Sequence, residues 1–412
     1  MGANSSSFLL EQVPDCNRKN NPHILMLVSN QCFPPSRRAA ASRMGSFAKY
    51  WSRLTTVSVI SPQHGLAENG YGRIRFPLTT RRLDFLRLTY LSPRLLRLAR
   101  SLRPDIVFVS FPLAWQLFEG YLLSRRLKCP LVVDIRDLPV AMFSFSEDSL
   151  PRRIFNTCMR SIAHYVSRKG SRITTVTDWL RQELIKALNY PPSRISVIRN
   201  GSETELFAKA LKVKKEFDVV YSGVINSPIR DPGVILRYLS HLADLLPSLR
   251  ILLISYISPG FAKRFSKEIE RLGLVDKLVF EEMGPPEESP ERLGRARLGF
   301  NSLIPRCETC IGAIGAKEYE YLAAGLPVVG LMDPEYYIES GRLIVGNKVG
   351  ILHQDPKRLA AETAALLKDP ARLRRMSKRA RKVGERFDRK RLAEDYYYKV
   401  ILPAWQEFNA KG

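Results

Sequence analysis

Residues 312–330, GAIGAKEYEYLAAGLPVVG, decide how the rest of the chain is read. Gly325 and Pro327 stop a helix, and Val328 and Val329 open a short apolar strand. The helix that feeds this strand begins among glycines and carries Lys317, Glu318 and Glu320 in its first turns. One end of the unit therefore goes into a core, while the other presents charge and free backbone N–H groups. A short helix between buried strands is the repeating piece of a parallel α/β sheet, so the same alternation should run through the rest of the chain.

It does. Apolar strand runs are read at 23–30, 55–62, 105–112, 131–137, 172–177 and 195–201, separated by helical patterns at 39–54, 114–128, 151–170 and 178–189. The pattern then restarts, with strands at 216–223, 249–255, 277–283, 298–304, 327–331 and 350–355. The fold class is α/β, two doubly wound parallel sheets facing a central cleft. The polar segment 208–215 is read as the linker, so that residues 23–207 form the first domain and 216–390 the second. Residues 1–22 are a tail, and the aromatic helix 391–412 is expected to cross back to the first domain. At 412 residues two domains are also what chain length favours.

Composition removes several classes. A hydrophobic share of 45% is that of a globular chain. No run of 18 uncharged apolar residues exists, so no membrane-spanning helix is expected. The N-terminus lacks the basic start and apolar run of a secretory signal. It fits the Met-Gly-x-x-x-Ser myristoylation pattern, which is short and carries little weight by itself. Six cysteines are too few for a disulfide scaffold and suit a reducing cytoplasm. Cys307 and Cys310 stand alone as Cys-x-x-Cys, short of the ligands a tetrahedral zinc needs, so no metal site is expected.

The charge is +25, from 65 Lys and Arg against 40 Asp and Glu. Nucleic acid, an anionic membrane surface and anionic small substrates all fit such an excess. The densest clusters, 81–104 and 372–391, match no nucleic-acid module, and nucleic acid is not expected as a partner. Segment 81–104 interleaves Arg with Leu, Phe and Tyr, as a helix pair lying on an anionic surface would. A solvated helix face explains 372–391 equally well.

In doubly wound folds ligands bind beyond the carboxyl ends of the strands. The loops there carry the candidates. "VVDIRDLP" places Asp134, Arg136 and Asp137 at a strand end, as a site or as a structural ion pair. "VIRNGSETELF" places Asn200 and Gly201 in a turn. "SGVINSPIRD" offers Gly223 for close backbone approach and Arg230 as a phosphate clamp. The loop NQCFPPSRRAAASRMG precedes a helix whose N-terminus suits an anion.

Taken together, the first strand–loop–helix, the Asn-Gly segment and KEYEYLAAGLPVVG resemble the retaining GT-B glycosyltransferases of family 4, also called group 1, over roughly residues 23–400. The resemblance implies a nucleotide-diphosphate sugar bound by the second domain and a glycan or lipid-linked acceptor bound by the first. Glu320 would hold the ribose, Arg230 and Lys317 would offset the diphosphate charge, and Gly223, Gly315 and Ala316 would bring backbone to the phosphates. Asn200 joins the donor contacts and Asp137 the catalytic set. The diphosphate would leave from the face the acceptor hydroxyl attacks and assist its deprotonation, with no metal and no cofactor beyond the donor. The sequence departs from the family twice. Gly312 stands where relatives often carry a glutamate on the donor sugar, with Glu308 four residues before it, and SRRAAA replaces a Gly-Gly. The loop 305–316 is therefore expected to control donor choice. The implied place of action is the cytoplasm, peripheral on the inner face of the membrane. An epimerase or phosphorylase of the same fold, a non-catalytic GT-B-like subunit and a basic nucleic-acid binder are the rival readings.

Overall fold

A computed structural model describes residues 21–28, 33–34, 39–61, 72–75, 93–111, 114–137, 157, 161, 165, 166, 169, 172–225, 230–257, 259–303 and 310–410. The myristoylation pattern, residues 81–92, most of 151–170 and Glu308 lie outside these residues. The chain forms two compact units. The first comprises residues 1–176, 181–198 and 390–412, and the second 177–180 and 199–389.

Unit one is built on a seven-stranded parallel sheet: β1 (Ile24–Leu27), β2 (Val57–Ser61), β3 (Gly72–Arg75), β4 (Ile106–Phe111), β5 (Leu131–Ile135), β6 (Arg172–Thr175) and β7 (Ile195–Val197). Their order is β3-β2-β1-β4-β5-β6-β7, which places the first strand inside the sheet. Six of these strands are the apolar runs of the sequence. The seventh, β3, reads GRIR and has no such run. Among the described residues it pairs only with β2, at the sheet edge, where charged residues are tolerated and protective. One face of this sheet packs against the helix Ala39–Trp51 and the C-terminal helices, through a core of Ile24, Met26, Phe108, Trp51, Tyr396 and Tyr397. The Trp51 indole donates to the Ala393 carbonyl at 2.9 Å, and its ring stands edge-on to Tyr396 with centroids 5.2 Å apart. Aromatic residues spaced along 391–408 thus fill the core of unit one.

Unit two is a six-stranded parallel sheet: β8 (Phe217–Ser222), β9 (Ile251–Ile254), β10 (Leu278–Glu281), β11 (Ala296–Ser302), β12 (Val328–Leu331) and β13 (Gly350–His353), in the order β10-β9-β8-β11-β12-β13. Alternate residues serve opposite faces. Val220, Leu252 and Val328 enter one core, and Val219, Tyr221, Phe300 and Val329 the other. In both sheets the order reverses next to the first strand, β1/β4 in one and β8/β11 in the other. Such a switch point opens a crevice at the carboxyl ends.

Two expectations need correction. Residues 208–215 are no linker. The helix Thr204–Phe207 runs into a 3-10 turn, Ala208–Lys212, that packs in unit two, where Lys215 donates to the Gly294 carbonyl at 2.7 Å. Gly294 has no room for a Cβ, because Ala210 lies 2.7 Å from where it would stand. Apolar Phe207 and Ala210, set among the lysines, anchor a segment whose composition reads as solvent-exposed. The change between units falls at 198/199 instead. Nor is Asn200-Gly201 a tight turn: neither residue takes a positive φ, and the chain continues extended to a bridge between Ser202 and Asp388.

The charge at the end of β5 has a structural use. Asp134 is fully buried and accepts from Arg43 Nη2 at 3.0 Å, Thr174 Oγ1 at 2.9 Å and Ser110 Oγ at 3.3 Å. Arg43 Nη2 also donates to the Ile198 carbonyl at 2.8 Å. One carboxylate therefore ties the helix 39–51 to β4, β5 and β6. Asp134→Ala leaves the Arg43 guanidinium buried without its counter-charge and should cost about 3–5 kcal/mol. Urea unfolding checks this, and a midpoint unchanged from wild type would refute it.

Candidate functional site

The switch point of unit two gathers the residues that the sequence singled out. β8 ends at Ser222, and Gly223 follows with φ +130, a conformation that side chains rarely adopt. A Cβ there would lie 2.9 Å from Lys317 Nζ. The glycine thus admits the lysine to the end of the strand. The Lys317 ammonium stands 3.9 Å from the centroid of the Tyr221 ring, in cation–π geometry. The Tyr221 hydroxyl donates to the Val224 carbonyl at 2.9 Å, which fixes the ring as the floor under the lysine.

Lys317 and Arg230 meet here from opposite sides of the switch. Lys317 lies in the first turn of the helix Ala316–Ala323, and Arg230 directly precedes the cap of the helix Pro232–Leu245. Lys317 is buried, its Nζ has no hydrogen-bond partner, and Arg230 Nε is likewise buried and unpartnered. Burial pulls the Lys317 pKa well below the ordinary lysine value. Repulsion from Arg230 adds to this, and Glu318 and Glu320 oppose it. Lys317 is therefore a desolvated cation with a second positive charge, Arg230, beside it. A buried charge without a partner is costly. An anion placed between the two would relieve both.

The support beneath is rigid. The Tyr321 hydroxyl accepts from Ser222 N at 2.9 Å and donates to the Phe300 carbonyl at 3.0 Å, so the helix is pinned to both strands of the switch. Gly299 makes room for this ring; a Cβ there would come within 2.3 Å of it. Glu318, assigned no role by the sequence motifs, is fully buried and accepts from Asn301 Nδ2 at 2.7 Å and Ser340 Oγ at 3.0 Å. Burial raises its pKa to about 7 against these hydrogen bonds. Glu320 is half-buried; burial raises its pKa, while the charges of Arg389 and Lys317 lower it. The helix 316–323 begins at Gly315, which has no side chain to cap the first amides. A Cβ at Gly315 would meet only ordinary van der Waals contacts, so packing does not require glycine there.

Gly312 has a physical explanation. A Cβ on it would fall 1.8 Å from the Trp179 ring, and Thr177 Oγ1 donates to the Gly312 carbonyl at 2.8 Å. The indole fills the space a side chain would need. Trp179 is held in turn by its own N–H on the buried Glu339 at 2.8 Å, and Glu339 pairs with Arg199 at 3.3 Å. A tryptophan 133 positions away in sequence carries no local signal that it occupies this place, and Glu318 likewise hides among ordinary helix charges. Asn200 lies in the extended run beside Arg199, half-buried. Asp137, exposed two residues beyond β5, belongs to unit one and is not part of this cluster. Cys310 is buried, and no group of three metal-ligating side chains occurs among the described residues.

The chain is similar to known proteins. Residues 40–206 match the Glycosyltransferase Family 4 domain. D-inositol 3-phosphate glycosyltransferase of Thermobispora bispora is 28% identical over 323 residues, which are 71% of this chain and 70% of that one. Among solved structures, a glycosyltransferase from Rickettsia africae covers 95% of the chain and 100% of its own length at TM-score 0.69 and 14% identity. Anabaena HepE in complex with UDP covers 92% and 99% at TM-score 0.70 and 16% identity. With the two parallel sheets, the domain match and the relative support a GT-B glycosyltransferase of the family 4, or group 1, type.

Proposed function

We propose that the protein transfers a sugar from a nucleotide-diphosphate donor to a glycan or lipid-linked acceptor, with retention at the anomeric carbon and without a metal. The observation that carries this reading is the buried Lys317 ammonium, without a hydrogen-bond partner, beside Arg230, whose Nε is likewise buried and unbonded, at the carboxyl end of β8. They suit a diphosphate, whose charge grows as it leaves. Gly223 and the first amides of the helix 316–323 would approach its oxygens. Glu320, three residues along from Lys317, would take the ribose hydroxyls. Asn200 and Glu308 remain donor-side candidates in this reading, and Asp137 a candidate on the acceptor side. HepE is also solved with UDP-glucose, which makes UDP and UDP-glucose the first ligands to try. Backbone groups of 311–315, rather than a carboxylate at 312, would read the sugar, because Trp179 leaves no space for one. The amphipathic reading of 81–104 keeps only part of its basis. Leu95 and Ala99 of the helix Pro93–Leu102 are buried, so Arg94, Arg97 and Arg100 are what this part offers a membrane. No helix among the described residues is long and apolar enough to cross one.

Lys317→Ala and Arg230→Ala should each weaken UDP binding by about 1.5–3 kcal/mol, the range for a hydrogen bond to a charged group, with the fold retained. Glu320→Ala should weaken UDP more than inorganic pyrophosphate. Calorimetry decides, and unchanged affinity in both cation variants would reject the donor site.

Binding should also take up a proton. In the free protein the Lys317 pKa lies well below the usual value, and a diphosphate beside the amine raises it. UDP affinity then falls as pH rises through the free-state pKa and is flat below it. Titration in buffers of different ionisation enthalpy counts the proton; zero uptake across the alkaline range would contradict the assignment.

The product should keep the donor's anomeric configuration by proton NMR, and turnover should survive EDTA. An inverted product or an EDTA-silenced enzyme would require another mechanism.

A further inference from the structure

The donor site lies at the carboxyl ends of the second sheet. A cavity of about 360 Å3 opens at the opposite edge, walled by Lys348, Arg372, Arg375 and Arg379 over a floor of Met376 and Gly350. Gly350 is the first residue of β13 and pairs with Val328, the first of β12. In a parallel sheet this edge holds the amino ends, away from Gly223 and Lys317. The cavity is thus separate from the donor site.

Its charge is one-sided. The helix Pro370–Gly384 carries seven Arg and Lys and no Asp or Glu. Arg372, Arg375 and Arg379 recur at spacings of three and four and share one side of the helix. Like charges so placed repel one another. Arg381 of the same helix is paired, with Glu385 at 3.0 Å. Among the described residues the four cavity cations have no carboxylate partner, and Lys348 and Arg375 stand out to solvent. Arg379 Nη1 donates instead to the Lys348 carbonyl at 3.0 Å. That bond holds Lys348 at φ +55, a left-handed conformation that is uncommon for a residue with a side chain. The floor cannot change, since a Cβ on Gly350 would fall 1.9 Å from the Val328 carbonyl oxygen. The result is a fixed concave wall of three guanidinium forks and an ammonium, of a volume at the small end for ligand pockets.

We propose that this cavity binds a phosphate-bearing anion, as a free phosphate ester or diphosphate or as a phospholipid headgroup. Guanidinium forks match phosphate oxygens in pairs, and a dianion offsets two of the four charges at once. The inference is independent of the donor reading.

The test uses Arg372→Glu/Arg375→Glu. Both side chains are exposed and unpaired, so the fold should hold, and the melting temperature verifies it. The double substitution is compared with its parent in a Lys317→Ala background, which weakens the donor site. Pyrophosphate binding by calorimetry should fall at least tenfold, and more steeply at low salt, where screening is weaker. A parallel arm sediments both proteins with phosphatidylcholine vesicles, with and without phosphatidylglycerol. Pyrophosphate binding lost in the double variant supports the site with a soluble ligand. Sedimentation with anionic vesicles alone, lost in the double variant, supports it with a lipid headgroup. Identical isotherms and identical sedimentation in the two proteins would overturn it.

Discussion

A lysine ammonium buried without a counter-ion constrains the second unit more than any other contact. Desolvating Lys317 is unfavourable, and its depressed pKa records that cost. Three features allow the arrangement. Gly223 removes the side chain that would block the amine, the Tyr221 ring accepts it in cation–π contact, and Tyr321 bolts the helix to β8 and β11. Each has an interior role that a surface lysine would not need. Arg230 then adds a second positive charge where electrostatics alone would favour a carboxylate. In the proposed reading this charge is assembled in advance of the anion, which is how preorganised charge would favour a departing diphosphate.

The buried carboxylates Asp134, Glu318 and Glu339 are all satisfied, and the contrast with Lys317 is informative. Asp134 has three donors around it, Glu318 has two, and Glu339 accepts from the Trp179 amide and pairs with Arg199. These carboxylates hold elements together: helix to sheet in unit one, and helix 316–323 to β11 and the helix Ile338–Ile344 in unit two. Burial also raises the Glu318 pKa to about 7, so its protonation varies near neutrality while its hydrogen bonds keep it in place. Carboxylates that looked like chemistry in the sequence, such as Asp134, work as ties, whereas the Lys317 ammonium is buried with no hydrogen-bond partner.

The net charge of +25 resolves into different uses. Arg43 is a core residue, Arg381 is paired and bonded to backbone carbonyls, and Lys317 is buried beside Arg230. On the helix 370–384, Arg372, Arg375 and Arg379 form an exposed wall with no carboxylate partner among the described residues. Burial and pairing sort the excess into these classes, and summed composition cannot.

Much of this was legible in the chain. Twelve of the thirteen strands described fall on apolar runs, most of them because a strand buried on both faces has few polar positions to interrupt it; β10, at an edge, is apolar though Val279 and Phe280 are exposed. The edge strand β3 escaped, since an edge relaxes that demand. Helix stops at Gly325 and Pro327, the lysine and glutamate of 317 and 320, and the glycine after β8 follow from local chemistry, which sequence spacing preserves. Tertiary structure alone decided the rest. Whether Lys317 is solvated or buried depends on Tyr221 and Gly223, nearly a hundred residues earlier. Gly312 is explained by Trp179, the fate of 208–215 by Gly294, and the role of Asp134 by Arg43 and Thr174. Burial and partnership are properties of residues brought together from distant parts of the chain, and a linear pattern does not contain those distances.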